Sequence, residues 1–245
     1  MTLPLPDLAP WRWALGAFCA FMIGIAKTGA PGVGTLVAPL MVMVVGDARL
    51  STAWALPILV TADVFAVWYW RRQSEIQSLF SLIPWVLVGI VGGAFALGLS
   101  EIIIRRMIGV IVIVMLVLYL RRRLWPSTDV QGNPAFYGVA TGFSSTVANA
   151  AGPVMSLYLL SRKLPKEQFV ATGAWFFLLL NLAKSPIYAW HGLYSAQSLT
   201  FDFVLIPVVL CGALTGRWLV RVMPQKLFET LVIGLTAVSC LLLFR

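Results

Sequence analysis

The sequence predicts an all-α polytopic membrane protein, built as an inverted repeat of two halves, and three observations lead to this fold class. Of the 245 residues, 60% are apolar and only 11% are charged, whereas a soluble domain is nearer half apolar and a quarter charged. The range 78–98 contains no charged residue and is long enough to cross about 30 Å of hydrocarbon. Each half also begins with an interrupted apolar segment that is followed by three further apolar spans.

The first half, residues 1–123, is predicted to contain a broken, re-entrant hairpin and three transmembrane helices. Its first apolar stretch is interrupted at 26–34 by three glycines and a proline. These residues oppose a continuous helix, because glycine costs about 1 kcal/mol and proline about 3 kcal/mol relative to alanine. A membrane protein tolerates such a break where protein or a water-filled cavity satisfies the backbone. The three spans are expected near 50–70, 78–99 and 102–120.

The second half, residues 135–245, repeats this layout after a connecting loop at 124–134. Its first segment, 135–160, is again rich in small and polar residues. Three further spans are expected near 168–189, 199–220 and 226–244. The shared order of a broken segment and three spans therefore predicts two structural repeats.

The basic residues favour a topology in which each broken segment enters and leaves on one side of the membrane. With that topology, eleven of the sixteen basic residues outside the membrane interior share a side, whereas single crossings would divide them nine against seven. The positive-inside rule prefers the more uneven division. This topology places the N-terminus outside and gives the halves opposite orientations, as in many secondary transporters.

Three charged side chains are predicted to lie inside membrane spans: Lys27, Asp63 and Lys184. Charged residues inside a bilayer are costly and usually functional. Two lysines near broken-helix termini predict a binding site for a small anion. The other candidate substrate-binding residues are small or polar and belong to the two interruptions or to the span at 168–189: Thr28, Gly29, Gly32, Gly34, Ser145, Thr146, Asn149, Gly152 and Asn181.

Asp63 is the candidate proton-coupling residue, because a carboxyl group can take up and release a proton. A structural ion pair with a lysine is an equally simple interpretation of Asp63, and either lysine alternatively extends along its helix to the interface. At an offset of 118 residues, Asp63 corresponds to Asn181. This correspondence predicts that both residues lie near a pseudo-symmetry axis. The glycines of the second span are attributed to close helix packing: Gly89, Gly92, Gly93 and Gly98.

Catalytic, metal and nucleic-acid functions find little support in the sequence. The three cysteines are isolated in apolar runs, and no hydrolase or metalloprotease motif is present. We therefore expect no catalytic residue, no metal and no cofactor. The net charge of +9 is attributed to loop arginines that fix the topology rather than to nucleic-acid binding. Two alternatives stay open: a passive anion channel that uses the same lysines, and an intramembrane hydrolase built on Ser144 or Ser145 with His191.

A family resemblance is carried mainly by the second half. The run Asn149-Ala150-Ala151-Gly152-Pro153-Val154-Met155 is followed by Leu164-Pro165-Lys166, by Thr172-Gly173 and by Asn181-x-x-Lys184-x-Pro186. Together with the glycine- and proline-rich break at 29–34, this pattern resembles the TauE/SafE family of sulfite and organosulfonate exporters. The similarity spans nearly the whole chain.

The resemblance implies a secondary carrier of small sulfur-containing or organic anions in a bacterial inner membrane. Its partners would be the anion, the lipid bilayer and a coupling proton or other ion, and the sequence favours no particular oligomeric state. The wider superfamily includes thiosulfate carriers that work through cysteines in re-entrant loops. No cysteine lies in either interruption of this chain, so that mechanism is not transferred.

Overall fold

The computed structural model describes residues 5–96, 101–124, 133–148, 151–190 and 192–243. The regular structure of these residues is helical. The helices of the first half are α1 (Pro10–Thr28), α2 (Val37–Val45), α3 (Ala48–Trp70), the short α4 (Gln77–Phe80), α5 (Ile83–Ala96) and α6 (Glu101–Leu124). Those of the second half are α7 (Pro134–Ala148), α8 (Ala151–Ser161), α9 (Lys166–Trp190), α10 (Ala196–Val222) and α11 (Gln225–Leu243).

Several of these helices have the length and composition of membrane spans. Among the described residues, three helical stretches are long and apolar enough to cross a membrane: Leu50–Trp70, Lys166–Trp190 and Ala196–Val222. Shorter apolar stretches are Ile83–Gly93, Gly109–Arg121 and Ala151–Ser161. The prediction of an all-α membrane protein is confirmed. The span expected at 78–99 begins only at Ile83, where Pro84 fits the first helical turn because its missing N–H has no partner there.

The predicted break at 26–34 is present, but it begins later than expected. Helix α1 continues to Thr28, and a 3-10 turn at Val33–Leu36 then leads into α2. Gly32 has a φ of 103°, a left-handed conformation that glycine adopts without steric cost. Pro31 has no N–H with which to continue a helix. The interruption is therefore limited to residues 29–32.

The second interruption separates α7 from α8. Helix α7 ends at Ala148 and α8 begins at Ala151, while Asn149 lies outside the described residues. Gly152 and Pro153 occupy the first turn of α8, where proline is well tolerated. The described residues on either side therefore give the predicted order of a helix, a short connection and a second helix.

The chain divides into two compact units. One unit comprises Met1–Ser74 and Val170–Met223, and the other comprises Glu75–Phe169 and Pro224–Arg245. Each unit thus takes helices from both halves of the sequence: the first contains α1, α2, α3, most of α9 and α10, and the second contains α4 to α8 and α11. The predicted repeats, 1–123 and 135–245, are divisions of the sequence and do not coincide with these two units. The inverted orientation of the repeats stays a prediction.

In the first unit, α1 and α10 pack closely because glycines of each helix face the backbone of the other. A Cβ atom at Gly24 or at Gly212 would collide with main-chain atoms of the opposite helix. Gly29 and Gly216 approach each other with no room for a side chain. The spacing of four residues between Gly212 and Gly216 is typical of close helix pairs in membranes. The glycines therefore fix the distance between the two helices.

In the second unit, α5 and α7 pack in the same manner. A Cβ atom at Gly89 or at Gly142 would collide with main-chain atoms of the opposite helix, and one at Gly93 would meet the side chain of Thr146. The packing role predicted for Gly89 and Gly93 is confirmed. Gly92 instead faces open space, and Gly98 lies outside the described residues.

The core of the first unit surrounds the middle of α1 and the start of α10. Phe201 is fully buried, and its ring lies 5.0 Å from that of Trp13 and 5.2 Å from that of Trp54, measured between centroids. Cys19 and Ile23 belong to the same buried cluster. Phe201, in the second turn of α10, is therefore held in apolar surroundings.

Candidate functional site

A buried ion pair joins α1 to α3. The Lys27 Nζ atom lies 2.9 Å from Oδ1 and 3.1 Å from Oδ2 of Asp63. Asp63 is fully buried, and the Lys27 side chain is 13% exposed. Leaving either charge alone in such surroundings would be strongly unfavourable. The predicted pairing of Asp63 with a lysine is therefore confirmed, and the Lys27 ammonium group is held at the carboxylate.

Asn181 completes the surroundings of the carboxylate from α9. Its Nδ2 atom donates a hydrogen bond of 2.7 Å to Oδ2 of Asp63. The expectation that these two residues lie together is confirmed, while the symmetry axis stays a prediction. The Ser185 hydroxyl donates to the Asn181 carbonyl at 3.0 Å, a local bond that serine commonly makes within a helix. Asp63 is thus held from two helices.

Lys184 adds a second positive charge on α9. Its ammonium group lies close enough to that of Lys27 for the two to repel each other. Lys27 also faces the ring of Phe177, 4.2 Å from the centroid, a cation–π contact that stabilises an ammonium group. We call these three residues, together with Asp63 and Asn181, the Lys27 cluster. Two ammonium groups and one carboxylate give the cluster an excess of one positive charge.

The helix ends at the first interruption differ from the simplest expectation. Lys27 lies in the last turn of α1, the negative end of the helix dipole, which stabilises a lysine. The other side of the interruption begins with the turn Val33–Leu36, which includes Gly34 and in which the Val33 N–H donates to the Ala30 carbonyl at 3.2 Å. In the predicted anion site, the positive charge is therefore expected chiefly from the two lysines.

The other candidate residues of the first interruption support the backbone. Thr28 is fully buried, and its Oγ1 atom lies 2.7 Å from the Ala213 carbonyl and 2.9 Å from the Gly24 carbonyl. Gly29 permits the close approach of α10, and Gly32 forms the left-handed turn. Contacts of these residues with substrate stay predictions.

In the second unit, two serines near the end of α7 carry buried hydroxyl groups. The Oγ atoms of Ser144 and Ser145 have no hydrogen-bond partner among the described residues. Buried polar groups are normally hydrogen-bonded, so both hydroxyls are candidates for a ligand contact. Thr146 instead donates to the Gly142 carbonyl at 2.9 Å. His191, the imagined partner of these serines in a hydrolase, lies outside the described residues.

One buried acidic residue was missed by the sequence analysis. Asp202 lies in α10 and is 5% exposed. The sequence does show an acidic residue inside a membrane span at this position, because Asp202 falls within the predicted span at 199–220. Within the part of the chain that the structure describes, no group of three or more His, Cys, Asp or Glu residues is placed to hold a metal ion. The expected lack of a metal stays a prediction.

Comparison with known families accounts for nearly the whole chain. A family model described as "Sulfite exporter TauE/SafE" matches residues 15–243. The chain belongs to the TauE/SafE family. No curated protein and no solved structure matches it. The family resemblance noted in the sequence is therefore confirmed, and this TauE/SafE member is a membrane transporter whose Lys27 cluster falls within the matched range.

Proposed function

We propose that this TauE/SafE protein exports a small oxyanion, such as sulfite or a short organosulfonate or carboxylate, as a secondary transporter with alternating access. The observation that supports the proposal most is the Lys27 cluster, in which two ammonium groups accompany one carboxylate. Ionised residues inside membrane helices are costly and usually mark a transport pathway. The excess positive charge is complementary to a single small anion.

The two lysines have different roles in this proposal. Lys184 contributes the second positive charge of the cluster, whereas Lys27 is the lysine that contacts the Asp63 carboxylate. An incoming anion then competes with Asp63 for the ammonium group of Lys27. Protonation of Asp63 removes the competitor, so proton uptake and anion binding favour each other. Asp63 is therefore the proposed proton-coupling residue.

The remaining proposed contacts are hydrogen bonds from small and polar residues. In the first unit they come from Asn181 and from the main chain around the interruption, with Thr28, Gly29, Gly32 and Gly34 shaping it. In the second unit, Ser145, Thr146, Asn149 and Gly152 stay predicted substrate contacts. The buried hydroxyl of Ser145, which has no partner among the described residues, supports that role for Ser145.

The deciding experiment measures anion flux in proteoliposomes that contain the wild-type protein or single lysine variants. Lys27→Ala and Lys184→Ala are expected to reduce the flux strongly. Lys226→Ala is the matched control, because Lys226 is an exposed lysine in the first turn of α11. Undiminished flux in both cluster variants would contradict the proposed site.

The same vesicles distinguish a carrier from a passive channel. A carrier with alternating access shows saturable flux and is accelerated by substrate on the opposite side, whereas a channel shows no such acceleration. The substrate class follows from thermal unfolding with sulfite, thiosulfate, sulfoacetate, taurine and small carboxylates, because a ligand stabilises the folded form that binds it. The strongest shift is expected from a singly or doubly charged oxyanion.

A further inference from the structure

A second carboxyl group is buried in the first unit, and it has no positively charged partner among the described residues. Asp202 is 5% exposed, and neither of its Oδ atoms has a hydrogen-bond partner among the described residues. Asp63, in contrast, is bonded by both Lys27 and Asn181. The two buried aspartates of this unit therefore stand in opposite electrostatic surroundings.

The surroundings of Asp202 oppose an ionised carboxylate. Its neighbour in sequence, Phe201, packs against two tryptophans in the apolar core. An ion removed from water without a partner carries a large free-energy penalty, whereas a neutral polar group of similar size costs less. The physical expectation is a carboxyl group neutralised by a bound cation, of which the proton is the smallest.

Tyr194, in the segment before α10, lies within electrostatic range of Asp202. Burial raises the pKa of Tyr194, so its phenol keeps its proton and can donate. The helices packed against α10 carry further titratable groups, namely Arg12, Cys19 and Lys27 on α1 and Asp63 and Tyr69 on α3. Among the described side chains, none of these groups forms an ion pair with Asp202.

Polar side chains lead from Asp202 towards the Lys27 cluster. Tyr194 interacts with Ser185, which follows Lys184 in α9, and the Ser185 hydroxyl donates a hydrogen bond to the Asn181 carbonyl. Lys184 and Asp202 each lie about 9 Å along their helices from the connection between α9 and α10, at 1.5 Å per residue. The two charged positions are therefore at similar distances from the same turn.

We propose that Asp202 is a second proton-binding site of this transporter, occupied in the conformation described and linked to the Lys27 cluster through Tyr194 and Ser185. The proton is taken up from water by one Oδ atom and returned to water when that atom becomes accessible, so no other reactant is involved. The role of this proton in transport is the only element of the inference that rests on the proposed function. The occupancy of the site is independent of it.

The occupancy is tested with dicyclohexylcarbodiimide, an apolar reagent that modifies protonated carboxyl groups in membrane proteins. The purified full-length protein is treated at neutral pH, and the modified residues are located by peptide mass spectrometry. Asp202 is expected to be labelled several-fold more than Asp47, whose exposed carboxylate caps the start of α3. Asp202→Glu is expected to keep the label, and Asp202→Asn to lose it while the unfolding temperature is retained.

Two outcomes would overturn the inference. One is labelling of Asp202 that is no greater than that of the exposed Asp47. The other is protection of Asp202 by sodium chloride but not by choline chloride, which would assign the site to a metal cation. Neither outcome depends on transport, so a failure here differs from a failure of the anion-carrier proposal. Where the label is as expected, proteoliposome flux in Asp202→Asn is expected to lose part of its pH dependence, and Asp202→Glu to restore it.

Discussion

Asp63 and Asn181, which lie 118 positions apart in the chain, are joined by a hydrogen bond of 2.7 Å. The same offset aligns the order of elements in the two halves of the sequence. Equivalent residues of two repeats that are related by a two-fold axis can touch only near that axis. The contact therefore supports the proposed inverted repeat, and it connects the proposed proton-coupling residue to the helix that carries Lys184.

Replacing Lys27 by methionine is expected to destabilise the protein by about 3–5 kcal/mol, because Asp63 is left as a buried, unpaired charge. The double variant Lys27→Met with Asp63→Asn removes both charges and is expected to recover most of that loss. Thermal unfolding of the detergent-solubilised protein measures both effects. Lys226→Met, at an exposed position, is the control and should leave stability nearly unchanged. Equal unfolding temperatures for the single and double variants would contradict the ion-pair interpretation.

Replacing Asn181 by alanine is expected to reduce stability by about 1–3 kcal/mol, because the buried Asp63 carboxylate loses one of its donors. Asn181→Asp should be more damaging, since it places a second acidic group against Asp63. Unfolding temperatures at neutral pH measure the order of the two variants. The interpretation fails if Asn181→Asp is as stable as the wild type.

Replacing Thr28 by valine tests whether its hydroxyl group serves packing or substrate. The hydroxyl contacts carbonyl groups of α1 and α10, so we expect a loss of about 1 kcal/mol in stability. Thr28→Ser keeps the hydroxyl and should retain more of this stability. Concentration-dependent flux separates the two roles: an unchanged KM in Thr28→Val favours packing, and a raised KM favours a direct substrate contact.

Replacing Gly212 by alanine is expected to be strongly destabilising, because the added Cβ atom would collide with the main chain of α1 at Phe21. Gly92→Ala is the matched control, since no atom lies within 4 Å of a Cβ at Gly92. That control should be neutral or stabilising by up to about 1 kcal/mol, the difference in helix propensity. Unfolding temperatures of the two variants give the comparison, and similar values would contradict the packing described for α1 and α10.

Much of the helical order could be predicted from the sequence, because apolar length and breaking residues are local properties. The spans expected near 50–70 and 168–189 agree closely with α3 and α9. The first interruption begins three residues later than the sequence predicts. Lys27 and Thr28 are both accommodated in α1, and the helix ends only where Gly29 and Pro31 follow. The pairing of Asp63 with Lys27 was one of two interpretations that the sequence left open.

Other features depend on distant contacts that no local pattern shows. The sequence predicts Thr28 to be a ligand residue because it lies beside an interruption, yet its hydroxyl donates a hydrogen bond to the Ala213 carbonyl on α10. In the sequence, Asp202 is one polar residue in a long apolar span. It becomes a candidate functional residue only because it is buried without a hydrogen-bond partner among the described residues. Such properties depend on which helices pack against each other, and residues throughout the chain determine that packing.

The pairing of α1 with α10 has a consequence for biogenesis. Thr28 and Ala213, which are in contact, are separated by 185 positions, and helices generally enter the membrane in the order of their synthesis. The glycine face of α1 therefore stays uncovered by α10 until 185 further residues have been synthesised. During that interval, factors that shield exposed helix surfaces in the bilayer have their best opportunity to act, and truncated chains that end before α10 are natural substrates for membrane quality control.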